Sequence, residues 1–267
     1  MTVVPLTAVP LAAVPLTDRG LLLGDGLFET LLAVDGAVRH VEAHLDRMAA
    51  GCAVLGLPAP DRDRARALVA DAPGAAGLAV GRAAVRLTLT AGSGGRGLDR
   101  PDAPVLELFA ACAPAPPAGA PAEAVVASVR RNEGSPASRL KTLAYLDNVL
   151  ARAQARAAGA DEALMLNNRG HLACASAGNL FWLDGGVLAT PALDCGVLAG
   201  LARGRVMAAA AGLGVEVREV RAGIEALATA SAVFLTNSLT GVRPLASLDG
   251  RALGRDPRVA ELAARAG

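Results

Sequence analysis

Lysine is almost absent from this chain. Among 26 lysines and arginines in 267 residues there is one lysine, Lys141, and 25 arginines. A guanidinium stays charged at any workable pH, whereas an ε-amine can be desolvated, lose its proton and attack a carbonyl. A lone lysine therefore marks either a position that needs a primary amine or the residue that an arginine-biased composition leaves by chance. Aromatic residues are also scarce, at 2%, which argues against a base-stacking surface. A net charge of +1 gives no electrostatic reason to expect nucleic acid or an anionic membrane as partner. The four cysteines, Cys52, Cys112, Cys174 and Cys195, lie far apart with no CxxC pair, so neither a disulfide framework nor a zinc site is suggested. His40, His44 and His171 are too scattered for a metal cluster. No apolar run reaches the ~18 residues of a membrane span. The start has three prolines and no basic residue before Arg19, unlike a signal peptide, so a cytoplasmic protein is expected. No GxGxxG follows a strand, which leaves a dinucleotide site unsupported.

What is present suits a folded enzyme-sized chain. It is 53% hydrophobic and 19% charged, a balance against disorder, and its length allows one large or two modest domains. Residues 4–17 repeat with period five around Pro5, Pro10 and Pro15, which excludes a helix and limits any strand to an edge. Leu27 to Val34 reads as a strand, and Asp35-Gly36 as a hairpin turn before Val38. Leu45, Met48, Cys52 and Leu55 predict an amphipathic helix over 41–56, with Arg47 away from the centre of its stripe. Strands are expected at Val85–Thr90 and Val105–Ala111. A run with four prolines from Ala113 to Ala122 reads as a semi-rigid linker. The boundaries drawn on it are an N-terminal domain at 1–112, the linker at 113–123 and a C-terminal domain at 124–267 that carries Lys141. In the second half, strands are expected near Val125–Arg130, at Glu162–Leu166, at Val215–Val220 and at Ala232–Leu235. A hairpin is expected at Asp184-Gly185-Gly186, a helix marked by Leu146, Val149, Leu150 and Ala153, and another from about Gly200. Two α/β domains with mixed sheets result, not a doubly wound unit.

The run from Lys141-Thr142-Leu143-Ala144-Tyr145 to Leu150 resembles the cofactor-lysine segment of the fold-type IV pyridoxal-phosphate enzymes, the class-IV aminotransferase family. Further segments match in that family's order: Asp18-Arg19-Gly20 through Gly24-Asp25-Gly26-Leu27-Phe28-Glu29-Thr30, Glu42-Ala43-His44-Leu45-Asp46-Arg47-Met48, Gly92-Ser93-Gly94-Gly95-Arg96-Gly97, Gly159–Leu164, Gly178-Asn179-Leu180-Phe181-Trp182, Thr190–Asp194 with Gly200-Leu201-Ala202-Arg203, and Phe234–Ser238. The resemblance implies an α/β (α+β) fold of two domains like that of D-amino-acid aminotransferase, pyridoxal 5'-phosphate as cofactor, a small-molecule amino substrate and a homodimer.

The resemblance also assigns roles. Lys141 would hold the cofactor covalently and then carry protons, tasks that suit a depressed pKa. Arg47 would be the charged partner of the phosphate. Gly200, Leu201 and Ala202 would offer it a helix N-terminus, and Ser238 with the Leu239 amide a further contact. Many relatives carry a threonine where Ala202 stands, and the missing hydroxyl would cost about 1 kcal/mol of hydrogen bonding. Cys174 stands where a glutamate is expected against the pyridine nitrogen. A thiol keeps that nitrogen protonated poorly unless it is itself ionised, which puts ordinary transamination in doubt. Arg96 is the candidate for a substrate carboxylate, with Arg130 and Arg131 in reserve, and Phe28 and Tyr145 would line the pocket. Asp25 and Glu29 are expected to serve turn and packing geometry. Within the family the glycine-rich loop and Asn179–Trp182 look closest to aminodeoxychorismate lyase, which takes 4-amino-4-deoxychorismate to 4-aminobenzoate and pyruvate on the way to folate. The alternatives are a D-amino-acid or branched-chain transaminase and a non-catalytic homologue with impaired cofactor binding.

Overall fold

The computed structural model describes residues 7–9, 13–118 and 120–267; the repeat's Pro5 and Pro10 lie outside the described residues. The chain divides into two compact units. One reaches to Pro116 and includes Leu140–Ala144; the other comprises Pro117–Arg139 and Tyr145–Gly267.

The first unit contains β1 (Thr7–Val9), α1 (Arg19–Leu23), β2 (Gly26–Val34), β3 (Ala37–Val38), α2 (Val41–Leu55), α3 (Arg62–Ala75), β4 (Arg82–Thr90) and β5 (Glu107–Pro114). Its sheet runs β1-β5-β4-β2-β3, and every pair is antiparallel. β1 sits at the edge of this sheet. Asp35 and Gly36 take φ values of 48° and 76°, the left-handed pair that a two-residue hairpin needs. β2 buries Leu27, Glu29, Leu31 and Ala33 towards α2, whose buried side carries His44, Leu45, Met48, Gly51 and Cys52. The expected stripe is therefore the observed one.

Helix α3 was hidden in the sequence by Asp71-Ala72-Pro73-Gly74. It forms because Asp61 caps it, accepting from the Arg64 N–H; Pro73 falls in its last turn, where it forgoes one bond to the Val69 carbonyl with little helix left beyond it to kink. The proline-rich stretch is shorter than expected. β5 continues through Pro114, paired with Ala83 of β4, and among the described residues β1 pairs with its Ala110–Cys112 stretch.

The placement of Lys141 also differs from the expected C-terminal domain. The Phe28 N–H donates to the Lys141 carbonyl at 2.9 Å and the Leu143 N–H to the Gly26 carbonyl at 3.0 Å. The start of β2 thus holds Leu140–Ala144 in the first unit by main-chain bonds.

The second unit contains β6 (Ala122–Val126), α4 (Leu146–Ala157), β7 (Glu162–Leu166), β8 (Leu172–Ala175), β9 (Asn179–Asp184), β10 (Val187–Pro191), α5 (Leu201–Gly212), β11 (Val217–Val220), β12 (Ala232–Asn237), β13 (Gly241–Leu248), β14 (Arg251–Ala252) and α6 (Arg258–Ala266). Its sheet is mixed, in the order β11-β10-β9-β12-β13-β6-β7-β8 with β14 beside β13. The pairs β10/β11, β6/β13 and β6/β7 are parallel. Central β9 is buried on both faces: Leu180 and Trp182 enter one core, Phe181 and Leu183 the other. Phe181 stacks on Phe234 with centroids 5.2 Å apart.

Helix α4 forms where its periodicity indicates but packs the opposite way. Leu146, Val149 and Leu150 are exposed, and Ala151, Ala155 and Asn148 are buried. Small residues allow the close approach of a helix to β7 beneath it; longer side chains there would hold the backbones apart. Among the described residues no helix is long and apolar enough to cross a membrane.

Candidate active site

Lys141 lies over an aromatic ring shared with a second cation. Its Nζ is 4.2 Å from the Phe28 ring centroid, and the Arg86 Cζ is 3.7 Å from the same centroid. The sheet register explains the pairing. Phe28 is opposite Thr88 and Thr30 opposite Arg86, so Phe28 and Arg86 are diagonal neighbours on one face. The backbone bond from Phe28 to Lys141 then brings the amine to that ring.

The amine is depressed from 10.5 to about 8. Burial is the main cause; Glu29 pulls the value up, and Arg47 and Arg86 push it down. At neutral pH about a tenth of such amines are unprotonated, roughly two orders of magnitude more than for an ordinary lysine.

Beneath this cluster, Glu29 is a buried carboxylate held by two neighbours from α2. Arg47 donates from Nε to Oε1 at 2.8 Å and from Nη2 to Oε2 at 2.6 Å, and His44 Nδ1 lies 2.6 Å from Oε2. Burial opposes ionisation, but the bonds from His44 and Arg47 hold Glu29 below the usual carboxylate range. The fork geometry fixes the Arg47 guanidinium plane.

Apart from Arg47, the residues expected around a phosphate belong to the second unit. Gly200 caps α5 without a side-chain bond, so no side chain of the cap competes for the first-turn N–H groups. A Cβ at Gly200 would run into Asn179 Oδ1, while Asn179 Nδ2 donates to the Leu198 carbonyl at 2.9 Å. Asn179 thus fixes the approach to α5, and only glycine fits beside it. After β12, Asn237 Oδ1 accepts from the Leu239 and Thr240 N–H groups, and its Nδ2 donates to the Ala177 carbonyl. The turn at Ser238 is therefore shaped by Asn237, and the Leu239 amide expected at the phosphate donates to that side chain. Two residues earlier the buried Thr236 hydroxyl has no hydrogen-bond partner among the described residues.

Cys174 is 8% exposed and packs with Ala163, Met165 and Ala173. Burial is the main influence on its thiol and pushes it up, with Arg131 opposing and Glu162 reinforcing the shift. At neutral pH it is a neutral thiol. Arg131 is a buried brace, donating to Asn148 Oδ1 and to the Ser138 carbonyl.

Of the expected site residues, Lys141, Phe28 and Arg47 are brought into one cluster. Gly200, Leu201 and Ala202 start α5, Ser238 and Leu239 form the turn after β12, and half-buried Tyr145 precedes α4. Arg96 is exposed. Its loop is organised by Arg19 instead, which donates to the carbonyls of Gly94, Gly97, Leu98 and Asp99 and pairs with Asp25 at 3.0 Å. Sequence reasoning placed Arg19 in the matching run Asp18-Arg19-Gly20 and Arg86 in a strand but gave neither a role. For Arg86 the signal was present in the alternation of β4; which face of β4 meets the lysine was not.

Comparison with known proteins follows the same residues. The sequence profile described as "Amino-transferase class IV" matches residues 26–248. A Methanocaldococcus jannaschii protein, provisionally assigned as a branched-chain-amino-acid aminotransferase, is 34% identical over 88% of this chain and 83% of its own. The aminodeoxychorismate lyase of Bacillus subtilis is 28% identical over 87% of this chain and 80% of its own. Among solved structures, a Legionella pneumophila protein provisionally assigned as 4-amino-4-deoxychorismate lyase superposes with a TM-score of 0.88 at 27% identity, covering 95% of this chain and 94% of the other.

Proposed function

This chain belongs to the class-IV aminotransferase family and is a pyridoxal 5'-phosphate-dependent enzyme, and from that premise we propose that it converts 4-amino-4-deoxychorismate to 4-aminobenzoate and pyruvate, a step toward folate. The observation that carries this reading is the buried, neutral thiol of Cys174 at the position where the family resemblance expects an acid. A neutral partner leaves the pyridine nitrogen less protonated and the electron sink weaker. An elimination that ends in an aromatic ring needs less from that sink than exchange of an amino group does. Similarity to lyases over nearly the whole chain points the same way.

The described residues fit the cofactor. A buried amine near pKa 8 suits a carbonyl partner, and a helix start with an uncapped first turn beside an obligatory glycine suits a phosphate. When bound, the cofactor supplies the electron sink. The chain's residues do the rest. Lys141 would hold the aldehyde carbon and, once displaced by the substrate's amine, accept and return protons. The N–H groups at Leu201 and Ala202, with Ser238, would take the phosphate; Arg47 would add positive charge. Phe28 and Tyr145 would wall the pocket, and Arg96 would take a substrate carboxylate. The homodimer stays part of this proposal, and the exposed stripe Leu146, Val149 and Leu150 gives it apolar surface to cover.

A second reading, branched-chain transamination, is supported by the 34% identical archaeal relative. One assay separates the two. With 4-amino-4-deoxychorismate the lyase reading expects 4-aminobenzoate and pyruvate in equal amounts. Glutamate formed from 2-oxoglutarate and a branched-chain amino acid, with no 4-aminobenzoate, would overturn it.

A further inference from the structure

A loop that reads Gly92-Ser93-Gly94-Gly95-Arg96-Gly97 has little stiffness of its own, because glycine leaves the backbone its widest choice of conformations. In the first unit it is nonetheless held at many points. Its carbonyls converge on one buried side chain, that of Arg19 at the start of α1, which is 4% exposed. Nη1 donates to the Asp99 carbonyl at 2.9 Å and the Gly97 carbonyl at 3.3 Å, and Nη2 to the Leu98 carbonyl at 2.9 Å. Nε donates instead to Asp25 at 3.0 Å. Asp25 also accepts two bonds from Arg100, which closes the far end of the loop and donates onward to the Leu55 carbonyl. Arg96 stands inside this frame and is exposed, while its own carbonyl accepts from the Asp99 N–H at 3.1 Å.

We propose that Arg19 is a positioning residue for substrate: it locks the Gly92–Arg100 loop in one conformation, so that Arg96 meets a substrate carboxylate already in place.

The inference rests on the reading of Arg96 as the carboxylate contact and supplies what that reading lacks, a reason for a glycine-rich loop to hold still. Ordering a free loop on binding would cost conformational entropy for every residue fixed. Arg19 shifts that ordering into folding. A guanidinium suits the task, since its donors lie in a rigid plane and its charge persists at every workable pH. Gly94, Gly95 and Gly97 take φ values of 110°, 78° and 60°, the region that favours glycine. A Cβ at Gly95 would collide with the Asp99 carbonyl oxygen and come within 3.1 Å of Arg19 Nη1, so the loop and the arginine fit each other from both sides.

Trypsin reads the loop without cofactor or turnover. Pro101 blocks cleavage after Arg100, which leaves Arg96-Gly97 as the loop's site, and the exposed Arg169-Gly170 turn of the second unit serves as internal standard. In the full-length chain the ratio of the first cleavage to the second, followed by peptide mass, is expected to rise about tenfold or more in Arg19→Gln, as loss of one net hydrogen bond from the frame already implies. Arg19→Lys, which keeps the charge and loses the fork, should fall between, and Gly95→Ala should rise as well. A double-mutant cycle in the holoenzyme then reports on presentation. Arg19→Gln and Arg96→Gln should each raise KM for 4-amino-4-deoxychorismate, or for leucine if transamination is the reaction, about tenfold and by more than they lower kcat. The double variant should be no worse than Arg96→Gln alone. A cleavage ratio unmoved in folded Arg19→Gln and Gly95→Ala chains would overturn the proposal. So would effects on KM that multiply in the double variant, or failure of both those chains to fold. A KM untouched by Arg96→Gln, with the cleavage shift intact, would instead remove the carboxylate reading of Arg96 and leave Arg19 as a brace of the loop alone.

Discussion

A lysine whose ammonium is forced out of water is a burden on the fold as well as a reagent. The Lys141 amine is held near 8 in the folded chain against 10.5 for the ordinary group. Its charged form is thus disfavoured by folding, and below pH 8 that penalty is fully present. As pH rises from 8 to 10.5 the unfolded chain binds more protons than the folded one, so stability increases across that window. Lys141→Met removes the charge and keeps the length. In the cofactor-free chain at pH 7 it is expected to melt about 2–4 °C higher than the parent, the change that ~1 kcal/mol makes in a chain of this size. The gap should close as pH approaches 10. A gap constant from pH 7 to 10 would mean that packing, not charge, sets the difference. At this scale the sequence was legible where chemistry is rare: a single lysine announces itself. Arg86 did not, because one arginine among 25 carries no mark until the register of β2 and β4 sets it against Phe28.

At the scale of elements, the proposed phosphate contact depends on how a helix begins. Gly200 precedes α5 with backbone at φ −70°, ψ 138°, which any residue adopts, so its requirement for glycine is one of space. The clash of a Cβ with Asn179 Oδ1 would force either the loop from Leu198 or the Asn179 side chain to give way. Gly200→Ala is expected to cost about 1–3 kcal/mol, in line with overpacking elsewhere, and to weaken cofactor binding more than it lowers the melting temperature of the cofactor-free chain. Equilibrium dialysis against pyridoxal phosphate beside a thermal melt decides this. Unchanged affinity with lowered stability would confine Gly200 to the fold. Elements were read well where periodicity and turn chemistry agree, as in α2 and the Asp35-Gly36 hairpin. They were misread where one residue type does two jobs. The leucine stripe of α4 is apolar yet exposed, because its alanines pack closer. α3 hides a proline in its final turn.

For the whole molecule the informative fact is that the first unit is not a continuous stretch of chain. Residues 117–139 leave it and Leu140–Ala144 return, anchored at Gly26 and Phe28. The amides of Phe28 and Leu143 are expected to exchange with deuterium on one timescale, that of the first unit as a cooperative block. Hydrogen exchange with peptide mass readout checks this, and fast exchange at Leu143 beside slow exchange at Phe28 would show the returning segment to be separately labile. This return was illegible in the sequence. The proline-rich run from Ala113 marks a boundary by composition, and a boundary in composition says nothing about which later residues come back across it.

The same detour has a meaning on the ribosome. Synthesis delivers the five strands of the first unit well before Leu140–Ala144, and at 5–20 residues per second the intervening stretch takes roughly one to five seconds. During that interval the nascent unit lacks the segment that completes the edge at Gly26 and Phe28. The reactive amine arrives on that last piece. A growing chain therefore brings its lysine to the surroundings that desolvate it only after the five strands of that unit have been made.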